Sequence, residues 1–196
     1  IESASLDFLY GDYELLTFYG RHAMERNVQR VPVVHGTQKI GSVRGTSSHQ
    51  YNPAMILCDP AATEDFGSCY GFCFAYSGNF VAGAQKDQRG LTRVQMGINP
   101  VQFRYTLAAG EAFFAPQVLM SYSSEGFTGL THQYHDLIRE HICRGAYKHA
   151  KRPVLINNWE ATYFDFDKEK IVKIAQQAHE LGIEMLVLDD GWFGKR

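Results

Sequence analysis

Residues 153–188 carry the pattern that most limits what this chain can fold into. Two short apolar runs suited to buried strands, Pro153–Asn157 and Ile183–Leu188, flank a segment with the apolar periodicity of a helix, Asp167–Leu181. Asp167 is predicted to cap the start of this helix and Gly182 its end. Strand, helix and strand in succession form a βαβ unit, which requires a parallel sheet or barrel. Because two strands do not complete such a domain, we expect its remainder beyond Arg196.

Residues 1 to about 125 have a different pattern, made of short alternating or aromatic runs broken by Gly, Asn, Asp and Pro. Such runs are typical of antiparallel strands and hairpins. Leu6–Tyr10 predicts one strand, and Phe103–Leu107 predicts another. Cys69–Tyr76 and Phe80–Ala84, separated by a turn sequence, predict a hairpin. The first architecture to consider is therefore an all-β sandwich.

Between these regions the sequence predicts a connecting helix, from Thr128 to about Tyr147, with Gly145 as its terminator. We therefore divide the chain into part of an N-terminal β-sandwich domain (1–126), a connecting helix (127–150) and the first βαβ unit of a barrel (151–196). The chain opens with Ile rather than Met and stops directly after a motif, so we expect it to be a fragment of a larger multidomain protein.

Composition excludes several classes of function. The formal net charge of -2, with 20% charged residues, gives no sign of a nucleic-acid or membrane-surface partner. No stretch approaches the roughly 20 apolar residues of a membrane helix. The four cysteines have neither a disulfide-scaffold pattern nor zinc-site spacing, which favours reduced thiols and a cytoplasmic protein, with secretion left open because a leader could have been cut away.

The residues that could carry chemistry follow the two predicted parallel strands. The first strand runs into Asn157-Asn158-Trp159-Glu160 and the second into Asp189-Asp190-Gly191-Trp192. Parallel α/β barrels bind ligands at the carboxyl ends of their strands, and an indole beside carboxylates and amides suits a sugar ring with its hydroxyls. We therefore predict a sugar site formed by Asp189, Asp190 and Trp159, with Trp192 and Asn158 as second-rank candidates and Glu160 as a lesser one.

Other roles for these residues stay open at this point. Each Trp alone is as consistent with packing at a barrel rim, and Asp189 with capping a helix or pairing with a base. A divalent metal on Asp189 and Asp190 lacks further ligands, so we expect neither a metal nor a cofactor. Adjacent strand residues point to opposite faces, so this pair is poorly suited to be the two carboxyls of a retaining glycosidase, which lie roughly 5 to 5.5 Å apart.

Three stretches of this chain resemble glycoside hydrolase family 36, the family of α-galactosidases. They read RPVLINNWEATYF (152–164), LGIEMLVLDDGWFG (181–194) and GSVRGTSSHQYNP (41–53), so the resemblance spans the chain. It implies a galactose-mutarotase-like β-supersandwich followed by a (β/α)8 barrel that hydrolyses terminal non-reducing α-galactose from melibiose and raffinose-type oligosaccharides with retention. By motif, Asp189 and Asp190 would bind the galactose 4- and 6-hydroxyls and Trp159 would line the same subsite.

The resemblance also implies what this chain lacks. The family's nucleophilic Asp and acid/base Asp lie on later barrel strands and have no matching positions here, so we expect this fragment alone to be inactive and residues 151–196 to be poorly stable. The complete protein is expected to be a homotetramer. Arg44, His49 and Asn52 are candidates for a subunit contact or for the mouth of a neighbouring subunit's pocket, and are equally consistent with turn and core polar groups. The alternatives are an α-N-acetylgalactosaminidase, a raffinose-synthase-like galactosyltransferase, or a non-catalytic sugar-binding β-sandwich.

Overall fold

The computed structural model describes residues 1–193; Gly194, which closes the second motif, and the predicted continuation of the barrel unit to Arg196 lie outside the described residues. The chain divides into two compact units, residues 1–140 and residues 141–196. Within the described part, no helix is long and apolar enough to cross a membrane.

The first unit is an antiparallel β-sandwich with one helix. Its strands are β1 (Glu2–Phe8), β2 (Glu14–Arg21), β3 (Met24–Pro32), β4 (Gly36–Gly41), β5 (Tyr51–Cys58), β6 (Cys69–Phe74), β7 (Phe80–Lys86), β8 (Thr92–Ile98) and β9 (Val118–Ser123), and helix α1 (Gly126–Leu137) follows. They form a five-stranded sheet in the order β3-β2-β5-β6-β9 and a four-stranded sheet in the order β1-β8-β7-β4. The predicted sandwich is therefore present.

The core of the sandwich lies between the facing sides of the two sheets. Alternate residues of the five-stranded sheet, such as Leu57 and Phe72, meet alternate residues of the four-stranded sheet, such as Phe80 and Met96. Leu57 and Phe80 have no exposed surface at all. Because side chains alternate across each strand, this single register buries one face of both sheets.

Helix α1 covers part of the opposite face of the five-stranded sheet. Leu130 of the helix packs there against Leu16, Cys58 and Cys69. A Cβ at Gly71 in β6 would lie 2.6 Å from the ring of Tyr134 in α1, so a larger residue here would require that ring to shift. The helix continues as a π-helical turn to Ile142, where the sequence had predicted regular helix to about Tyr147.

The predicted hairpin between Cys69–Tyr76 and Phe80–Ala84 is wrong. β6 pairs with β5 and β9, whereas β7 pairs with β4 and β8 in the other sheet. The turn between them therefore crosses from one sheet to the other. Alternation and turn residues show where a strand ends. They do not distinguish a hairpin, in which the next strand pairs with the first, from a connection to the opposite sheet.

The predicted strand Phe103–Leu107 is also absent from the structure, where these residues have no regular secondary structure. Phe103 is half-buried and its ring packs on Phe113 at 6.2 Å, while residues 104–108 are exposed. The apolar alternation here reflects one anchored side chain in a surface loop rather than a strand with a neighbour.

The second unit contains the predicted βαβ unit. It comprises strand β10 (Leu155–Asn157), the short helix α2 (Trp159–Thr162), helix α3 (Lys168–Glu180) and strand β11 (Met185–Val187). The two strands pair in parallel, and both are shorter than the apolar runs predicted for them. The parallel pairing is confirmed.

Both predicted ends of α3 are confirmed. The Asp167 carboxylate accepts the Lys170 N–H at 2.8 Å as an N-cap, and Gly182, at φ +81°, donates its N–H to the His179 carbonyl at 2.9 Å. These bonds satisfy backbone groups that the helix cannot satisfy internally. They fix where the chain re-enters β11.

Candidate functional site

The two strand ends that the sequence singled out lie side by side. β10 and β11 are in register, with Asn157 opposite Val187, and the Asn158 N–H donates to the Val187 carbonyl at 3.2 Å. The polar residues that follow each strand therefore emerge at the same edge of the parallel pair. This edge is the position at which α/β sheets bind ligands.

Asp189 is tied to the opposite strand end through its carboxylate. Asn157 donates its side-chain N–H to Oδ2 of Asp189 at 2.6 Å, and Oδ1 of the same amide accepts the Trp159 backbone N–H at 2.8 Å. One amide thus connects Asp189, which follows β11, with the start of α2. Because an ionised carboxylate accepts about four hydrogen bonds, Asp189 keeps capacity for ligand hydroxyls.

Asn158 lies beneath this edge with no exposed surface. Its Oδ1 accepts the Asp189 backbone N–H at 2.8 Å, and its Nδ2 donates to the Thr162 hydroxyl at 2.9 Å. The Thr162 hydroxyl is in turn within 3.1 Å of the Asn158 carbonyl oxygen. The Asn158 amide is thus buried and already bonded within the chain, and its contact with sugar stays a prediction.

Trp159 stands in a small aromatic cluster. Its half-buried indole makes edge-to-face contacts with Tyr163 at 5.3 Å and Phe164 at 4.9 Å between ring centroids. Tyr163 has a backbone φ of +48° and ψ of -126°, a backbone conformation that residues other than glycine rarely adopt. This turn brings both rings back against the indole and holds its plane.

Glu160 has a local role in the same turn. Its carboxylate accepts the Tyr163 hydroxyl at 3.0 Å, and this hydrogen bond raises the pKa of Tyr163 above its usual value. The lesser sugar-binding candidate is thus engaged in holding the ring that packs on Trp159.

Asp190 and Trp192 are exposed residues of the turn that follows Asp189. The Asp190 carboxylate accepts the Gly191 N–H at 2.7 Å, and Gly191 has a φ of +87°. A Cβ at Gly191 would lie 2.9 Å from the Phe164 ring, so this turn packs closely on the aromatic cluster. Trp192 is 67% exposed, and its ring contacts Phe193 at 5.7 Å between centroids.

The structure therefore joins some of the predicted site residues and not others. It links Asp189 with Trp159 through Asn157, a residue that sequence reasoning quoted but did not select. Tyr163 and Phe164 were missed as well. Their only signal was an aromatic pair four and five positions after Trp159. Sugar binding stays a prediction for all five candidates: Asp189, Asp190, Trp159, Trp192 and Asn158.

Two further expectations concern a metal site and a subunit contact. Across residues 1–193, no cluster of three or more His, Cys, Asp or Glu side chains is placed to hold a metal ion. Arg44 and His49 are exposed in the loop between β4 and β5, and Asn52 is half-buried in β5. A subunit contact through these three residues stays a prediction.

Two family models match the chain in succession. The model described as the glycosyl hydrolase family 36 N-terminal domain matches residues 1–108, and the model described as melibiase matches residues 112–196.

Curated relatives match along the whole chain. The bifunctional alpha-galactosidase/sucrose kinase AgaSK of Mediterraneibacter gnavus is 57% identical over 99% of this chain and 21% of its own length. Alpha-galactosidase AgaA of Geobacillus stearothermophilus is 52% identical over 99% of this chain and 27% of its own length. The chain thus spans about a quarter of the length of these relatives.

Solved structures give the same result. The galactosidase domain of AgaSK superposes with a TM-score of 0.94, at 57% identity, over 98% of this chain and 27% of that structure. The crystal structure of AgaA from Geobacillus stearothermophilus superposes with a TM-score of 0.95, at 52% identity, over the same shares.

Proposed function

Since the chain belongs to glycosyl hydrolase family 36, we propose that the complete protein is a retaining α-galactosidase and that this segment provides part of its galactose-binding site. The observation that carries the proposal is the pairing of Asp189 with the Trp159 turn through Asn157, at the carboxyl ends of two parallel strands. The relatives named as alpha-galactosidases support it.

The chemistry of this edge suits a galactose ring. The indole of Trp159 offers an apolar surface to one face of the ring, while Asp189 and Asp190 accept hydrogen bonds from its hydroxyls. Galactose differs from glucose by its axial 4-hydroxyl. A carboxylate placed to meet that hydroxyl disfavours the epimer, which would leave a polar group without its partner.

The proposal assigns the reaction itself to residues outside this chain. The βαβ unit forms the beginning of a (β/α)8 barrel, whose later strands carry the two catalytic carboxyl groups. One carboxylate attacks the anomeric carbon of the α-galactoside while the other, as an acid, protonates the departing oxygen. Water then releases galactose from the covalent intermediate, with the second group acting as a base. Substrates of this reaction are melibiose and raffinose-type oligosaccharides.

The remaining parts of the proposal concern assembly and location. The complete protein forms a homotetramer, and the exposed loop bearing Arg44 and His49 is a candidate contact between subunits. The cysteines Cys58 and Cys69, opposite each other on β5 and β6 and unbridged, favour a cytoplasmic location. Light scattering of the purified complete protein measures its subunit number directly.

The experiment compares the 196-residue chain with the complete protein on a chromogenic α-galactoside. The matched substrates are the α-glucoside, the β-galactoside and the α-N-acetylgalactosaminide with the same leaving group. We expect turnover of the α-galactoside by the complete protein alone, and formation of α-galactose as the first product by NMR.

Each other outcome has a meaning. Turnover by the 196-residue chain would contradict the placement of the catalytic groups outside it. Faster turnover of the N-acetylated substrate would make the protein an α-N-acetylgalactosaminidase, and β-galactose as the first product would exclude retention. Galactose binding without any turnover would indicate a binding role.

A further inference from the structure

Two consecutive side-chain amides, Asn157 and Asn158, meet Asp189 from the end of the neighbouring strand. Asn157 bonds the Asp189 carboxylate at 2.6 Å, and Asn158 bonds the Asp189 backbone N–H at 2.8 Å. The carboxylate and the main chain of one residue are therefore held by two side chains that are adjacent in sequence. We define Asn157 and Asn158 as the asparagine pair.

The orientation of both amides is fixed by their partners. A backbone N–H can only donate, so the group of Asn158 facing Asp189 N–H must be its oxygen, which leaves its nitrogen for the Thr162 hydroxyl. The same argument holds for Asn157, whose oxygen faces the Trp159 N–H and whose nitrogen faces an acceptor-only carboxylate. Turning either amide over would break two hydrogen bonds.

The two amides differ in burial, and this difference separates their tasks. Asn158 has no exposed surface, and loss of its side chain would remove both the acceptor of the part-buried Asp189 N–H and the donor to the buried Thr162 hydroxyl. Asn157 is exposed, so its substitution leaves the buried part of the unit intact. Asn158 therefore fixes the main chain at Asp189, whereas Asn157 fixes the direction of the carboxylate.

From this geometry we infer that Asn157 and Asn158 are positioning residues, which hold the Asp189 carboxylate in a fixed relation to the Trp159 indole. The inference deepens the proposed function and rests on it for the identity of the ligand. Its physical content is preorganisation: a carboxylate already held by a neighbouring amide loses less rotational freedom when a sugar hydroxyl binds. Neither asparagine needs to touch the sugar.

The test uses the complete protein with three variants: Asn157→Ser, Asp189→Ala and the double variant. Serine retains a hydroxyl oxygen that can accept the Trp159 N–H but is too short to reach the Asp189 carboxylate. Asn27→Ser in β3 is the matched control, because Asn27, although half-buried, also donates its amide to nearby carbonyls, those of Tyr19 and Met24.

Three readouts are measured for each variant: kcat/KM on the α-galactoside, the dissociation constant of galactose by calorimetry, and the melting temperature. We expect Asn157→Ser to lower kcat/KM and galactose affinity by about tenfold, as for the loss of one bond to a charged group. We expect its melting temperature to match that of Asn27→Ser. In the Asp189→Ala background, Asn157→Ser should change kcat/KM by less than about twofold, because it acts through Asp189.

Crystal structures of the wild-type protein and Asn157→Ser add a readout that does not depend on turnover. We expect the Asp189 carboxylate to rotate away from its wild-type position while the Trp159 turn stays in place. An unmoved carboxylate, wild-type kinetics, or equal losses in both backgrounds would overturn the inference. A wild-type protein without α-galactosidase activity would refute the proposed function instead, and the carboxylate position would still decide the role of Asn157.

Discussion

The two units of this chain hold themselves together by different means. In residues 1–140 both sheets contribute large apolar side chains to a shared core, and Leu57 and Phe80 are fully enclosed. In the described part of the second unit the buried residues are Asn158, Thr162 and Ala178, two of which are polar. The sandwich is thus stabilised by packing, whereas the edge that carries the candidate site is organised by hydrogen bonds.

This difference indicates the source of the folding free energy of each unit. Burial of apolar surface is the dominant favourable term in folding, and a parallel strand pair obtains it only when both faces are covered. Within this chain Leu155 of β10 is 50% exposed and Met185 of β11 is 44% exposed. The second unit therefore has a defined local geometry but little packing energy of its own.

The largest contrast is expected in thiol reactivity. Cys58 and Cys69 have no exposed surface, and burial raises the pKa of Cys58 to about 12, whereas Cys143 in the second unit is exposed. At pH 8 we expect Ellman's reagent to modify Cys143 at least about a thousandfold faster than Cys58, because Cys58 reacts only when the sandwich opens.

The reaction can be assigned with two controls. Cys143→Ser should abolish the fast phase of the reaction. In the urea-unfolded chain all four thiols should react with Ellman's reagent in a single fast phase. Rapid modification of Cys58 in the folded chain, located by mass spectrometry, would show that the sandwich is as open as the second unit.

The next contrast compares one substitution in both units. Leu57→Ala removes a fully buried side chain from β5 and is expected to lower the free energy of unfolding by about 3 to 5 kcal/mol. Leu155→Ala in β10 removes a half-exposed one and is expected to cost about 1 kcal/mol or less. Urea unfolding followed by circular dichroism measures both, and equal losses would contradict the proposed division.

The candidate site should respond in the opposite way, with a loss of function and little loss of stability. In the complete protein Asp189→Ala is expected to lower kcat/KM for an α-galactoside by more than about tenfold, since it removes charge-assisted hydrogen bonds to the substrate. Asp165→Ala is the matched control, because Asp165 is an exposed carboxylate of the same unit paired with Lys170 at 3.0 Å. Near-normal kinetics of Asp189→Ala would remove Asp189 from the site.

The smallest contrast is a dependence of stability on alkaline pH. Desolvation holds the pKa of Cys58 at about 12, above the usual value of 9.0, so the neutral thiol stabilises the sandwich fully below pH 9 and this contribution is lost as pH rises toward 12. The urea midpoint of the sandwich should therefore fall between pH 9 and 11. Cys58→Ala should show a shallower fall over the same range, and parallel curves would exclude this cause.

Much of this architecture could be predicted from local patterns. The alternation of the first 125 residues predicted a sandwich, and the apolar runs beside a capped helix predicted a parallel βαβ unit with Asp167 and Gly182 at the ends of α3. Each of these features depends on residues within a few positions of one another. The pattern therefore contains the information that fixes them.

What could not be predicted depends on partners distant in sequence. Nothing near Cys69–Tyr76 indicates that the next strand joins the other sheet, and the loop at Phe103 alternates without a neighbouring strand to pair with. The Asn157 amide finds its carboxylate 32 residues away. The strand-end rule predicted that polar groups would meet there, but not which amide would hold which carboxylate.

Both tryptophans of the chain, Trp159 and Trp192, lie in the second unit, at the edge that follows β10 and β11. Their fluorescence is therefore an intrinsic probe of that edge, because residues 1–140 contain no tryptophan and contribute only tyrosine and phenylalanine emission. The indole of Trp159 is packed on two rings, whereas that of Trp192 is largely in water. A spectral shift on adding sugar would thus report on the candidate site without any attached dye.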